Sequence, residues 1–129
     1  MNLQRITTVT LVSVSLISAP IAAQATDWFM AASGQSSKVK HFVDRDSIVR
    51  SGNSAKANVL VVFDIPTEEG TVGYYASSEF SCAERKGRDI KTTYLRQDGS
   101  TRRDNTLEDW VSFRPDSVAE GVLKQVCGY

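Results

Sequence analysis

One histidine, two cysteines and three prolines are all that 129 residues contain, and each scarcity removes a class of function. A zinc site of cysteine and histidine takes about four ligands, and His41 with Cys82 and Cys127 falls short of that. Asp44, Asp46 and Ser47 follow His41 closely, but neighbouring side chains on an extended strand point to opposite faces, so this spacing assembles no catalytic triad. The two aspartates read as corner acids capping backbone amides rather than as calcium ligands. No enzymatic activity, metal or cofactor is therefore expected. A charge excess is missing as well. Fifteen basic residues balance fifteen acidic ones, so the net charge supplies no general affinity for nucleic acid or membrane surface. Nor does any apolar run reach the roughly 20 residues of a membrane-spanning helix.

What the N-terminus does hold is an export signal. MNLQRITTVTLVSVSLISAPIAAQA carries Arg5, an apolar stretch from Val9 to Ile17 and the small-x-small ending Ala23-Gln24-Ala25. A signal peptide over residues 1–25 and one domain over 26–129 follow, exported to the periplasm or to the cell surface and beyond. No cysteine follows the leader, so no lipid anchor is expected there. Export permits oxidation of the two cysteines, which allow one bridge; two buried thiols are the alternative. A bridge closing 45 residues would contribute about 4 kcal/mol in the chain-entropy model.

The mature chain alternates strand patterns with turn residues. Asp27–Ala32 reads as a first strand with Trp28 as its core anchor, and Lys38–Asp44 alternates before Asp46 and Ser47 interrupt it. Ile48-Val49 resumes the strand, and Ser51–Ser54 is a turn. Asn58–Ile65 is apolar on both sides through Val59-Leu60-Val61-Val62-Phe63, the pattern of a strand covered on both faces. Thr71–Cys82 and Ile90–Arg96 are further strands, joined by a basic loop, Arg85–Arg88. Asp98-Gly99 predicts a two-residue hairpin, and Thr101–Thr106 is the returning strand.

The run from Trp110 to Cys127 reads as one amphipathic helix. Pro115 suits its start, Asp116 or Ser117 its N-cap, and Ser117 with Glu120 a capping box. Val118, Ala119, Val122, Leu123 and Val126 share an arc, with Glu120, Lys124 and Gln125 opposite and Gly128 as the C-terminal stop. The fold class that follows is α+β, an antiparallel sheet of about six strands with one C-terminal helix on a face. One helix covers one face. Val59–Phe63 would leave aliphatic side chains on the other, which predicts a homodimer.

For ligand binding, the candidates are Arg85, Lys86, Arg88, Tyr94, Arg96 and Arg103, with Lys91 and Arg102 nearby. A two-residue turn at Asp98-Gly99 puts Tyr94 opposite Arg103, with Arg96 on the same face. An aromatic ring between guanidinium groups suits an anionic glycan or a peptide carboxylate.

Three segments occur in a telling order: HFVDRDSI (residues 41–48), the cysteine of EFSCAERKGR (79–88), and W-x-x-x-R-P-D-S (110–117) leading into the helix to Cys127. Together they resemble the surface-adhesin protein E family of small secreted bacterial proteins. The resemblance implies a six-stranded antiparallel sheet whose C-terminal helix is tethered by a disulfide, with Cys82 and Cys127 at the matching positions. It also implies homodimers and, for some members, adhesion to host matrix or plasma proteins, with haem binding suggested. The leading expectation is a secreted or periplasmic non-catalytic binding module, adhesin-like, for a protein or anionic glycan ligand. The alternative is an inhibitor or accessory subunit of a cell-envelope enzyme.

Overall fold

The computed structural model describes residues 27–33 and 38–129; the expected signal peptide lies outside them. One antiparallel sheet organises the chain. Its strands are β1 (Trp28–Ser33), β2 (Val39–Asp44), β3 (Val49–Ser51), β4 (Ser54–Phe63), β5 (Thr71–Ser81), β6 (Lys86–Arg96), β7 (Thr101–Asp104) and β8 (Val111–Ser112). The order is β1-β2-β4-β5-β6-β7, with β3 extending β2 along β4 and β8 extending β7 along β6. The path thus has six positions filled by eight strands. A 3-10 turn at Arg45–Ser47 separates β2 from β3, where Asp44 caps it by accepting from Asp46 N at 3.1 Å.

The one α-helix among the described residues, α1 (Val118–Cys127), lies across β1, β2, β4 and β5. Ser117 is its N-cap, its hydroxyl accepting from Glu120 N at 3.2 Å, and Glu120 returns the bond by accepting from Asp116 N at 3.0 Å. Gly128 closes it in the left-handed conformation, φ 82°. The helix is shorter than the amphipathic run. Pro115 and the Asp116 turn interrupt it, and Val111–Ser112 instead pair with β6. Val122, Leu123 and Val126 pack onto Val43, Ala55, Ala57, Val59, Val61 and Phe80. Leu123 and Val126 are wholly buried, each contributing on the order of 1.5–3 kcal/mol.

Several expectations change at the edges. Only Arg85 of the basic loop sits in a turn, at φ 56°, while Lys86–Arg88 begin β6. Gly87 is where Phe113 crosses the sheet, and a Cβ there would meet the Phe113 ring at 2.6 Å. Trp28 is half-buried on the face away from α1, edge-on to Tyr75 with centroids 5.8 Å apart. β4 is covered on one side only: Val59 and Val61 are buried, Leu60 and Val62 half-exposed. Glu120, placed by helical periodicity on the solvent side, is 5 % exposed. It pairs with Arg85 from the β5–β6 turn and with Lys124 at 3.6 Å.

The helix is held at both ends. Cys82 and Cys127 are bonded, tying the last turn to the end of β5. Beside the bond, Arg50 Nε donates to Val126 O at 2.7 Å, a cation on the helix C-terminus, and Tyr129 OH donates to Cys82 O at 3.1 Å. Reduction, or Cys127→Ser, is expected to lower the melting temperature by more than about 10 °C. An unchanged melting curve under reductant would rule this out. Glu120 carries a second test. The Asp116 amide first, and then the Arg85 guanidinium, hold its carboxyl below the usual 4.5. Its stabilisation is therefore complete above that value and is lost as pH falls through the depressed folded one. The gap in melting temperature between wild type and Glu120→Gln should shrink between about pH 6 and about pH 3. A gap that does not vary with pH contradicts this.

Candidate binding surface

Two irregularities decide which side chains meet. The first is the β6–β7 turn. Asp98 Oδ1 accepts from Ser100 N at 2.8 Å and from Ser100 Oγ at 2.6 Å, and within the turn only Gly99 takes positive φ, 87°. A two-residue type I′ turn needs positive φ at both central positions. The chain instead makes a three-residue loop, closed by Gly99 N to Arg96 O and Arg96 N to Ser100 O, both 3.0 Å. Tyr94 consequently faces Arg102, whose guanidinium lies 4.5 Å over its ring, and Arg103 pairs with Thr93 on the opposite face. The expected Tyr94–Arg103 pairing is thus off by one residue.

The second is a bulge in β6 at Ile90. Ser77 pairs with Lys91 and Ser78 with Asp89. Asp89 and Lys91 would share a face in a regular strand, but the extra residue sends Asp89 to the helix side and Lys91 to the open side.

The six sequence candidates therefore form no single cluster. Arg85 pairs with Glu120 and stacks 5.3 Å from the Tyr129 ring. Lys86 pairs with Glu84 at 3.5 Å. Arg88 pairs with Glu79 at 2.9 Å and covers Trp110 at 4.3 Å. Tyr94 and Arg96 lie on the helix side beyond the reach of α1, where Phe63, Tyr74 and Tyr94 form a row of rings about 6 Å apart. Arg103 alone of the six reaches the open face without an ion pair among the described residues.

There it lies near Lys91, likewise unpaired among the described residues. With Tyr75, Thr93, Asn58 and Asn105 they line a depression of about 510 Å³, Ser77 completing the floor. None of these side chains is acidic. Glu79, the nearby acid on β5, is held by Arg88, and Asp44 is buried on the Trp28 and Tyr75 side of the sheet. Two cations, an aromatic edge, two amides and two hydroxyls thus share one concave surface. Sequence reading reached Arg103 and Lys91. It missed Tyr75, Asn58 and Asn105, which pattern alone gave no reason to connect.

The family profile of surface-adhesin protein E matches residues 28–128. The chain belongs to the surface-adhesin protein E family. Its fold is that of Haemophilus influenzae protein E. One crystal form aligns with a TM-score of 0.53 at 14 % identity, covering 68 % of this chain and 80 % of that one. A selenomethionine form gives 0.52 at 14 %, covering 68 % and 78 %. A third structure gives 0.50 at 15 %, covering 68 % and 76 %. No curated protein matches the chain.

The family resemblance raised haem. His41 lines a cavity of about 200 Å³ under α1, smaller than the roughly 300 Å³ at which pockets for drug-sized ligands begin, so a porphyrin does not fit around it. Among the described residues no group of three or more His, Cys, Asp or Glu is placed to hold a metal ion, and no helix is long and apolar enough to cross a membrane. Burial pushes the His41 imidazole below its usual 6.5, against the pull of Asp89. An NMR titration of His41 should find a midpoint below 6.5; one at or above that value contradicts the burial.

Proposed function

We propose that the chain is an exported, non-catalytic, adhesin-like binding module whose open sheet face takes anionic glycans or acidic protein surfaces. The observation that carries this is the unpaired Lys91–Arg103 couple in an acid-free depression with Tyr75. Carboxylate or sulfate groups gain charge-assisted hydrogen bonds from both cations. Hydroxyl-rich rings find the Asn58 and Asn105 amides, and an apolar sugar face finds Tyr75. Arg85, Lys86 and Arg88 contribute less, because each is already engaged by a carboxylate. The export signal over residues 1–25 and the family membership both favour a periplasmic or cell-surface location. The alternative is an inhibitor or accessory subunit of a cell-envelope enzyme.

Binding to immobilised heparin reads the proposal directly. Lys91→Glu with Arg103→Glu should weaken it about tenfold or more at low salt, whereas Arg85→Ala should change it little. Equal loss in both variants, or none in the double reversal, removes the proposal.

The same face has an apolar half. Met30, 48 % exposed, pairs with Phe42, which pairs with Leu60, and Val62 follows on β4. A second copy presenting this strip by twofold symmetry would cover it and make the homodimer. Sedimentation equilibrium should show a dimer that Leu60→Asp splits into folded monomers. Val61→Asp should unfold the domain instead, because Val61 is 2 % exposed under α1. A wild-type protein that stays monomeric at micromolar concentration refutes the dimer.

A further inference from the structure

On the helix side of the sheet, the seam between α1 and the β7–β8 connection does not close. The cavity of about 200 Å³ there opens partly to solvent and has mostly apolar walls, built by Val59, Val61, Phe80, Phe113 and Val122 with small Ala119 at α1. Volume alone sets the size of an occupant. An apolar cavity of about 150 Å³ holds a benzene ring, so this one holds a single ring or short alkyl chain with one polar group.

The polar lining sets its charge. His41, Tyr74, Ser78, Asp89 and Glu108 face the cavity, and Asp89 is their centre. It accepts from Ser78 Oγ at 2.6 Å, and its charge bears on His41, Tyr74 and Glu108 alike. Burial, then Asp89 and Glu108, pushes the Tyr74 hydroxyl up to about 12, so it stays neutral. Burial likewise disfavours the charged form of the His41 imidazole, against the pull of Asp89. Arg88 also touches the cavity, but its guanidinium is held by Glu79 and Trp110. Two carboxylates therefore border the apolar cavity, Asp89 part-buried in its wall and Glu108 exposed at its mouth, with no free cation among the described residues. Burial and the neighbouring acids Asp89 and Asp104 raise the Glu108 carboxyl, a cost that an incoming positive charge would relieve.

From the cavity and its lining together, we infer that this chain has a second ligand site, distinct from the open face, for a small amphiphilic amine: a protonated primary amine on a single ring or short alkyl body. The body fills the space beside Val122 and Phe80. The ammonium has three donors, and the Asp89 and Glu108 carboxylates with the neutral imidazole of His41 supply acceptors. The site lies across the sheet from Lys91 and Arg103, so its test is independent of the glycan proposal.

The probe is phenethylammonium chloride, titrated calorimetrically into the disulfide-bonded protein, with ethylbenzene and phenylacetate as matched neutral and anionic bodies. Saturable binding of the amine, about tenfold or more tighter than either control, is expected. Glu108→Gln and Asp89→Asn should each erode that preference; the amide oxygen in the second variant can still accept from Ser78. Ala119→Leu, which fills the cavity, should abolish binding with the melting temperature kept. Should that variant fail to fold, the Glu108→Gln comparison still decides. The inference is overturned by phenylacetate or ethylbenzene binding as tightly as the amine, by amine binding that survives Ala119→Leu, or by no saturable heat up to about 10 mM.

Discussion

A single sheet has two faces, and the described residues hold one helix with which to cover them. Everything else depends on where that helix is held. Ten residues of α1 would be marginal alone, and four constraints fix them: the Cys82–Cys127 bond, the Arg50 contacts at the last turn, the Ser117–Glu120 cap and the Arg85–Glu120 pair. Three of the four reach out from the sheet or its turns, so the helix cannot slide toward β6 and β7. Part of that end is roofed by Phe113 and Val111 instead, and the opposite face stays open. The division into a covered and an uncovered face is thus set by the anchors, and the candidate ligand chemistry follows from it.

The bulge at Ile90 sharpens the division. By reversing the alternation of β6, it separates Asp89 from Lys91, two residues of opposite charge that a regular strand would leave side by side on one face. One side of the sheet gains a part-buried carboxylate hydrogen-bonded to Ser78; the other gains a cation whose surrounding depression has no acidic lining. A one-residue insertion so creates two electrostatic environments only a sheet's thickness apart.

Much of the fold was legible in sequence because its signals are local. Ser117, Glu120 and Gly128 mark the helix ends through side chains that act within one turn, and the break at Asp46 and Ser47 appears as the 3-10 turn between β2 and β3. The pairing of two cysteines left no choice of connectivity. Long-range features were hidden. The burial of Glu120 depends on Arg85, 35 residues away in sequence, and helical periodicity alone sends it to solvent. The position of Tyr94 turned on whether Asp98 would hydrogen-bond its own turn or take positive φ. Both are compatible with Asp-Gly, and the choice moves the Arg102 and Arg103 faces together. The bulge at Ile90 has no glycine or proline to announce it. Hence the basic residues were found as a population, while their division between the two faces of the sheet was not.

On the proposed function, ligand meets the face opposite α1. Backbone amide shift mapping with a heparin-derived tetrasaccharide tests it most directly, because every strand reports at once. Saturable changes are expected at Asn58, Ser77, Lys91, Thr93 and Arg103, with α1 and the row from Phe63 to Tyr94 unmoved. Shifts concentrated on Val118–Cys127, or on Tyr94 and Arg96, would contradict it.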